Sequence, residues 1–309
     1  MSDRVFLLPH SAEERRLPRG ASRCPWALAN EPHARKFLEC EGRWLPDLSS
    51  KPSNGNLRVW CEYEAPTTVV SLAPPNREYP RWLHHIDLSA LQAVVSSGKT
   101  RRHLNTDPWI WDRGFVWSVC RHFTPSKNFR ADVAAIEAGD IVLFGSAFNS
   151  KWVLDTVLVA AGPPIECRHA HEAAPALSPA YRACVSGPLD VHRLPLRIVM
   201  GAPYADKQHQ AFSFVPAVPS TVKTSFARID ISSLVRNIRL KNGDPAKPNN
   251  GQALASGTYP GGNGPLWNDL VNATLGAGLV LGVSFEHPLK LSRWAVDKRD
   301  DHHMVETSC

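Results

Sequence analysis

Three groups of residues in this 309-residue chain have types and spacing suited to chemistry. Asp155 falls within Trp152-Val-Leu-Asp-Thr-Val-Leu-Val159, where strict alternation would place it on one strand face with Val153, Val157 and Val159. A carboxylate among valines must be paired, protonated or part of a site. The competing role is structural, with an arginine or backbone N–H groups satisfying the acid. Glu62 and Glu64, in Leu57-Arg-Val-Trp-Cys-Glu-Tyr-Glu64, project to the same side of a strand. Such a pair can bind a cation or divide acid and base roles; the alternative is a solvated strand face. His84 and His85, close to Arg81, supply imidazoles that titrate near neutrality. Neighbours on a strand face opposite ways, so at most one enters a site, and two surface imidazoles are the alternative.

Other residues suit binding. Asp107 precedes Pro108 and is followed by Trp109 and Trp111, which sets an acid beside flat aromatic surface. That combination can stack a base and bond to its edge, although aromatic core packing would produce the same pattern. Trp60 adjoins the glutamate pair, and Arg121 and His122 follow Cys120, where cations would favour a thiolate over a buried, inert thiol. Cys24, before Pro25-Trp26, is a second candidate thiol. The tract Cys167-Arg-His-Ala-His-Glu172 has metal-binding composition but no standard ligand spacing, so no zinc site is expected there and no residue is assigned to a metal; the sequence leaves the cofactor unknown. Phosphate-cradling Gly-x-x-x-x-Gly-Lys loops, Gly-x-Gly-x-x-Gly, His-Glu-x-x-His and Gly-x-Ser-x-Gly are absent, which disfavours common nucleotide hydrolases, dinucleotide enzymes, zincins and α/β-hydrolases.

The elements that must hold these residues read as follows. Val5–Leu8 is a first strand, and Asn30 to Gly42 reads as a short helix with Ala34, Phe37 and Leu38 on one side. A half-buried strand over 57–64 is expected to pair with Thr67–Leu72 after a turn at Ala65-Pro66. Asp87 caps a helix ending at Gly98, 115–120 is an apolar strand, and a further helix runs roughly from Asn128 to Ala138. Asp140–Phe144 and Trp152–Val159 form the strand pair placed at the sheet centre. Weaker strands follow at Leu196–Met200 and Ala211–Val215, then a long turn-rich surface loop over 241–264 that could serve as a lid. Pro265 opens a helix to Leu275, followed by a strand over 279–285. This order predicts a single α+β domain over 1–296, with a mixed, largely antiparallel sheet and flanking helices, and a polar tail over 297–309.

The segment Ile136-Glu-Ala-Gly-Asp-Ile-Val-Leu-Phe-Gly-Ser146, followed by Trp152–Val159, resembles the PUA and ASCH-like barrels, which carry a Gly-Asp turn into a strand and then a second strand. Val59-Trp-Cys-Glu-Tyr-Glu-Ala-Pro66, Leu83-His-His85, Thr106-Asp-Pro-Trp109, Leu143-Phe-Gly-Ser146 and Leu154-Asp-Thr156 are similar to the nucleotide-modification-associated domain proteins of bacteria and phage. The resemblance implies a PUA-like partial barrel and recognition or processing of a modified base or nucleotide. It brings no established catalytic residue.

A net charge of +6 and a pI near 9.0 permit an anionic partner, and no apolar run is long enough for a membrane span. Seven scattered cysteines without a Cys-x-x-Cys pair suit a reducing cytoplasm. The expected function is nucleotide or nucleic-acid processing at a base or glycosidic bond. Glu62, Glu64, His84 or His85, Asp107 and Asp155 would be its acid and base groups, with Trp60, Arg81, Trp109, Trp111, Arg121 and Ser146 binding substrate. A non-catalytic module that binds a modified base, and a structural or interaction protein of a defence or modification system, remain open beside it. Oligomeric state is not readable from the sequence.

Overall fold

The fold turns on one long hairpin whose two faces enter different cores. The computed structural model describes residues 3–9, 13–97, 103–111, 114–118, 133–167, 178–190, 196–205, 211–223, 225–241 and 255–289. In β3 (Arg35–Leu45) and β4 (Ser53–Glu62), Leu38, Cys40, Leu57, Val59 and Cys61 join one apolar cluster. Phe37 and Trp60, offset by one residue, join the other. The period of two that separates these sets is that of a strand buried on both sides.

β4 pairs with β12 (Val215–Pro219), β12 with β16 (Val280–Phe285), and β16 returns to β3, all antiparallel. These four strands close into a small ring. From β3 the sheet continues through β6 (Trp82–Ile86), parallel to it, then β5 (Thr67–Ser71) and β2 (Arg23–Cys24). A second sheet has the order β13 (Ile229–Asp230), β9 (Lys151–Val159), β8 (Ile141–Phe148), β1 (Arg4–Pro9), β15 (Ala255–Thr258), β14 (Arg239–Leu240). A third joins β10 (Ile165–Cys167), β11 (Leu196–Met200) and β7 (Val116–Trp117).

Helices are minor: α1 (Leu88–Ser96), a short run α2 from Pro179–Tyr181 through a π-type turn at Arg182–Ser186 to Gly187–Asp190, α3 (Ser232–Asn237) and α4 (Asn263–Gly276). α4 buries Leu266, Leu270, Val271 and Thr274 at helical spacing and hands the chain directly to β16. Among the described residues, the architecture is a sheet-rich α+β fold, and no helix is long and apolar enough to cross a membrane.

The β8–β9 pair lies inside its sheet, as its apolar pattern predicts. Several expectations fail for identifiable reasons. The helix predicted from Asn30 to Gly42 is strand β3, because Phe37 and Leu38 serve opposite cores and do not share a helical face. β5 does not pair with β4: the edge of β4 away from β3 is taken by β12, and β5 lies between β6 and β2. The loop expected over 241–264 contains β15 and the start of α4, while 242–254 lie outside the described residues. The strand expected at Ala211–Val215 begins at Val215, and of 115–120 only Val116–Trp117 forms a described strand. Residues 128–132 of the helix expected at 128–138, and the tail over 297–309, also lie outside them, while the described 133–138 leave the helical conformation after Ala134.

The Gly139-Asp140 turn that carries the barrel resemblance has a structural task. Gly139 adopts φ 88°, and the buried Asp140 carboxylate accepts from the backbone N–H of Arg4 at 3.1 Å and of Glu137 at 2.9 Å. It thereby ties β1 to the turn entering β8, in a sheet separate from the closed ring.

At the other end of β8 the register slips: Phe144 faces Thr156 but Gly145 faces Leu154, leaving Asp155 as the extra residue of a bulge. Trp152 and Leu154 therefore share a core with Val157 and Val159, and Asp155 is not in phase with those valines. The bulge needs Gly145, since a Cβ there would stand 2.1 Å from the Trp152 ring and 2.4 Å from the Val153 carbonyl. Gly145→Ala is expected to lower unfolding free energy by about 1–3 kcal/mol, read by urea denaturation, with Gly162→Ala, where a Cβ meets nothing, as the mild control.

Candidate functional site

Glu62 is the direct cross-strand partner of Arg35, so the β3–β4 register itself brings a guanidinium to a carboxylate. Arg35 Nη1 lies 3.4 Å from Glu62 Oε2, and its Nε lies 3.0 Å from Asp155 Oδ2 on β9. Each of the three side chains is 1% exposed. Asp155 also meets Arg228, whose Nη1 donates to both carboxylate oxygens at 3.2 and 3.4 Å and to Ser146 Oγ at 3.4 Å. The Arg228 guanidinium sits 5.4 Å from the Trp60 ring centre and 5.5 Å from that of Phe148. Trp60 is held in turn by its indole N–H donating to the Phe226 carbonyl at 2.9 Å.

At the other end is His33, two residues before Arg35. Its Nδ1 lies 2.9 Å from Glu62 Oε1 and 3.0 Å from Glu64 Oε1. Glu64 follows the end of β4 and is fixed by backbone bonds: its N–H donates to Thr106 Oγ1 at 3.1 Å, and its carbonyl accepts from Ala27 N–H at 3.0 Å. The result is a chain of alternating charge, Arg228–Asp155–Arg35–Glu62–His33–Glu64, that starts between the two large sheets. Only His33 of these six departs from burial, with a side chain 31% exposed against 5% or less for the others.

The electrostatics follow from burial and sign. The Glu62 charge, with smaller contributions from hydrogen bonds to both glutamates and from Glu64, raises His33 to about 11, against desolvation. It is an imidazolium at neutral pH. Burial pulls Arg228 below the usual guanidinium value, with Asp155 opposing. The ligand-capable atoms of His33, Glu62 and Glu64 all lie within 4.8 Å of one another, a grouping able to hold a metal ion.

The remaining sequence candidates lie elsewhere or play other parts. Glu62, Glu64 and Asp155 meet in one network, but Glu62 and Glu64 form a buried pair and not a solvated face. His84 is fully buried on β6, its Nδ1 2.8 Å from Thr67 Oγ1, and burial, with Lys36 and His85 adding, lowers it to about 2. His85 points the other way, 40% exposed and 3.9 Å from Glu39. Asp107 is buried beside Tyr181, whose phenol is raised above its ordinary value chiefly by burial and also by the Asp107 charge. Trp109 and Trp111 are fully buried, stacked and edge-on against His287, and present no aromatic wall to solvent. Arg81 is an exposed partner of Glu14 at 3.0 Å; Trp60 and Ser146 both contact Arg228. Cys24 is buried, and Arg121, Cys120 and the tract after Cys167 lie outside the described residues.

Sequence reasoning missed His33, Arg35 and Arg228. The helical reading of 30–42 turned the first two away from Glu62, and Arg228 stands in a segment without periodic pattern. One signal was available: three buried acids require nearby cations, and Arg35 heads a segment with enough apolar residues for a strand.

Comparisons with known protein families, with curated proteins and with solved structures find no match for this chain.

Two measurements test the network. Arg35→Met leaves Glu62 and Asp155 without their shared cation and is expected to destabilise the fold by about 3–5 kcal/mol in denaturant titration. His84 is held below its free value of 6.5, so its neutral form is favourable above pH 6.5 and that advantage is lost as pH falls toward 2. Accordingly, His84→Gln is expected to flatten the loss of stability between pH 6.5 and about pH 4 relative to the wild type.

Proposed function

We propose that this protein processes nucleotides or nucleic acid, acting on a base or glycosidic bond at the His33–Glu62–Glu64 end of the buried charge network. The observation that carries this reading is the sharing of one partly exposed imidazolium by two buried carboxylates, 2.9 and 3.0 Å from its Nδ1. The net charge of +6 suits a polyanionic partner.

The chemistry follows from the separation of the acids. Cleavage of a glycosidic bond passes through an oxocarbenium-like state that nearby carboxylates stabilise. Carboxyl groups that activate a water across the sugar stand roughly 6.5–9.5 Å apart, whereas a nucleophile and its acid stand about 5–5.5 Å apart. Donor oxygens gathered within 4.8 Å favour the closer arrangement. One glutamate would face the sugar carbon, and the His33 imidazolium would offer a hydrogen bond to negative charge on the departing base. Arg35 and Asp155 are positioning residues, holding Glu62 by its second oxygen and bracing the guanidinium from β9.

Incubation of the full chain with nucleosides, nucleotides and single- and double-stranded DNA or RNA, with chromatographic detection of released base, tests this reading. Release by the wild type and loss of at least ~100-fold in Glu62→Gln and Glu64→Gln, each verified as folded by circular dichroism, is the expected result. Tight, steeply salt-dependent nucleic-acid binding that survives both substitutions, with no altered product in any arm, would instead establish a binding module.

A further inference from the structure

We propose that His33, Glu62 and Glu64 hold one divalent transition-metal cation, through Nδ1 of the imidazole and one Oε1 from each glutamate. The site concerns the same centre as the proposed reaction, but cation binding is measurable with no nucleotide present, so either idea can fail alone.

Three features carry the assignment. The first is the donor spacing: an imidazole nitrogen with carboxylate oxygens at 2.9 and 3.0 Å. For metal–ligand distances of ~2.1 Å, adjacent corners of an octahedron stand ~3.0 Å apart, so two of the three edges already have the required length. Calcium, with ligands at about 2.3–2.6 Å and a preference for oxygen alone, fits less well. The mixed nitrogen and oxygen donors point to Mn²⁺, Fe²⁺, Co²⁺ or Zn²⁺, and three protein donors leave positions for water or substrate.

The second feature lies behind the ligands. Glu62 uses Oε1 toward His33 while its Oε2 is engaged by Arg35 Nη1 at 3.4 Å, and Arg35 is anchored to Asp155. Outer partners of this kind orient a ligating carboxylate and tune its charge. Glu64 is fixed from its backbone by Thr106 and Ala27. The donor atoms are thus gathered around the Nδ1 proton of His33, and a cation bound there takes that proton's place, so binding releases one proton to solvent.

The third feature is independent of the acids. Arg35 is 1% exposed, and its Nη2 has no hydrogen-bond acceptor among the described residues. Buried guanidinium N–H groups are rarely left without an acceptor. An oxygen ligand on a bound cation, water or a phosphate oxygen, would supply the acceptor that this group lacks. A cation on the three donors and an oxygen ligand beside Arg35 satisfy both observations together.

The test uses the full chain stripped with EDTA and then titrated with MnCl₂ or ZnCl₂ alone, followed by isothermal titration calorimetry and thermal unfolding. Saturable binding of one equivalent is expected, with a rise in Tm on saturation. His33→Ala, a change at a partly exposed position, and Glu64→Gln are each expected to weaken binding at least 10-fold. An Arg35→Lys variant is expected to weaken it by about 10–100-fold with stoichiometry unchanged. Failure of the wild type to bind Mn²⁺ or Zn²⁺ at millimolar concentration would overturn the proposal, as would binding that His33→Ala and Glu64→Gln both leave unchanged. Mn²⁺ also gives a paramagnetic resonance signal that reads the site in variants whose unfolding is altered. Intact cation binding without base release from any nucleotide substrate would refute the proposed reaction and leave the metal site standing.

Discussion

The buried charge network that joins the two large sheets depends on one guanidinium being dehydrated. Arg35 enters the interior at the first residue of β3 and meets Glu62 beside it and Asp155 across from it, so a strand of one large sheet is bonded to a strand of the other. Two carboxylates and a guanidinium in a dry interior are costly to desolvate singly, and removing one partner leaves the others uncompensated. The constraint propagates outward: Asp155 demands Arg228, and Glu62 keeps His33 charged. Such a network spends stability on fixed positions, since Glu62 and Glu64 meet the imidazole with backbone bonds and a guanidinium already holding them.

How much of this the sequence displayed can be judged residue by residue. The spacing of Glu62 and Glu64 correctly places them on one side of the chain, because a period of two is insensitive to what lies opposite. Asp155 is conspicuous among valines, and it does join the same network. Yet the strict alternation used to find it breaks at that very residue, where the bulge with Gly145 inserts it. A bulge has no signature in hydrophobic periodicity, only in the glycine across from it. His84 and Asp107 attract notice by type, but burial consigns them to the bonds that stabilise an interior. Nothing local distinguishes a buried histidine from a reactive one.

At the level of fold, the self-contained elements were legible: β8 and β9, α4 and β16 each have a pattern that closes within a few residues. The strand pairings were not. Ala34 and the start of β3, with Phe37 and Leu38, resemble a helix in spacing because both faces of β3 are covered, which erases the alternation that marks half-buried strands. The pairing of β4 with β12 and of β3 with β16 depends on segments far apart in the chain, so no window of sequence contains it.

Closure of the four-stranded ring joins segments that lie far apart along the chain. Leu45 finds its neighbour in Leu281, and until β16 emerges from synthesis β3 and β12 each present a bare row of backbone donors and acceptors. The N-terminal strand likewise waits for β8 and β15. β16 therefore covers the edges that β3 and β12 otherwise leave open, and closing the ring removes both as templates for strand-to-strand association.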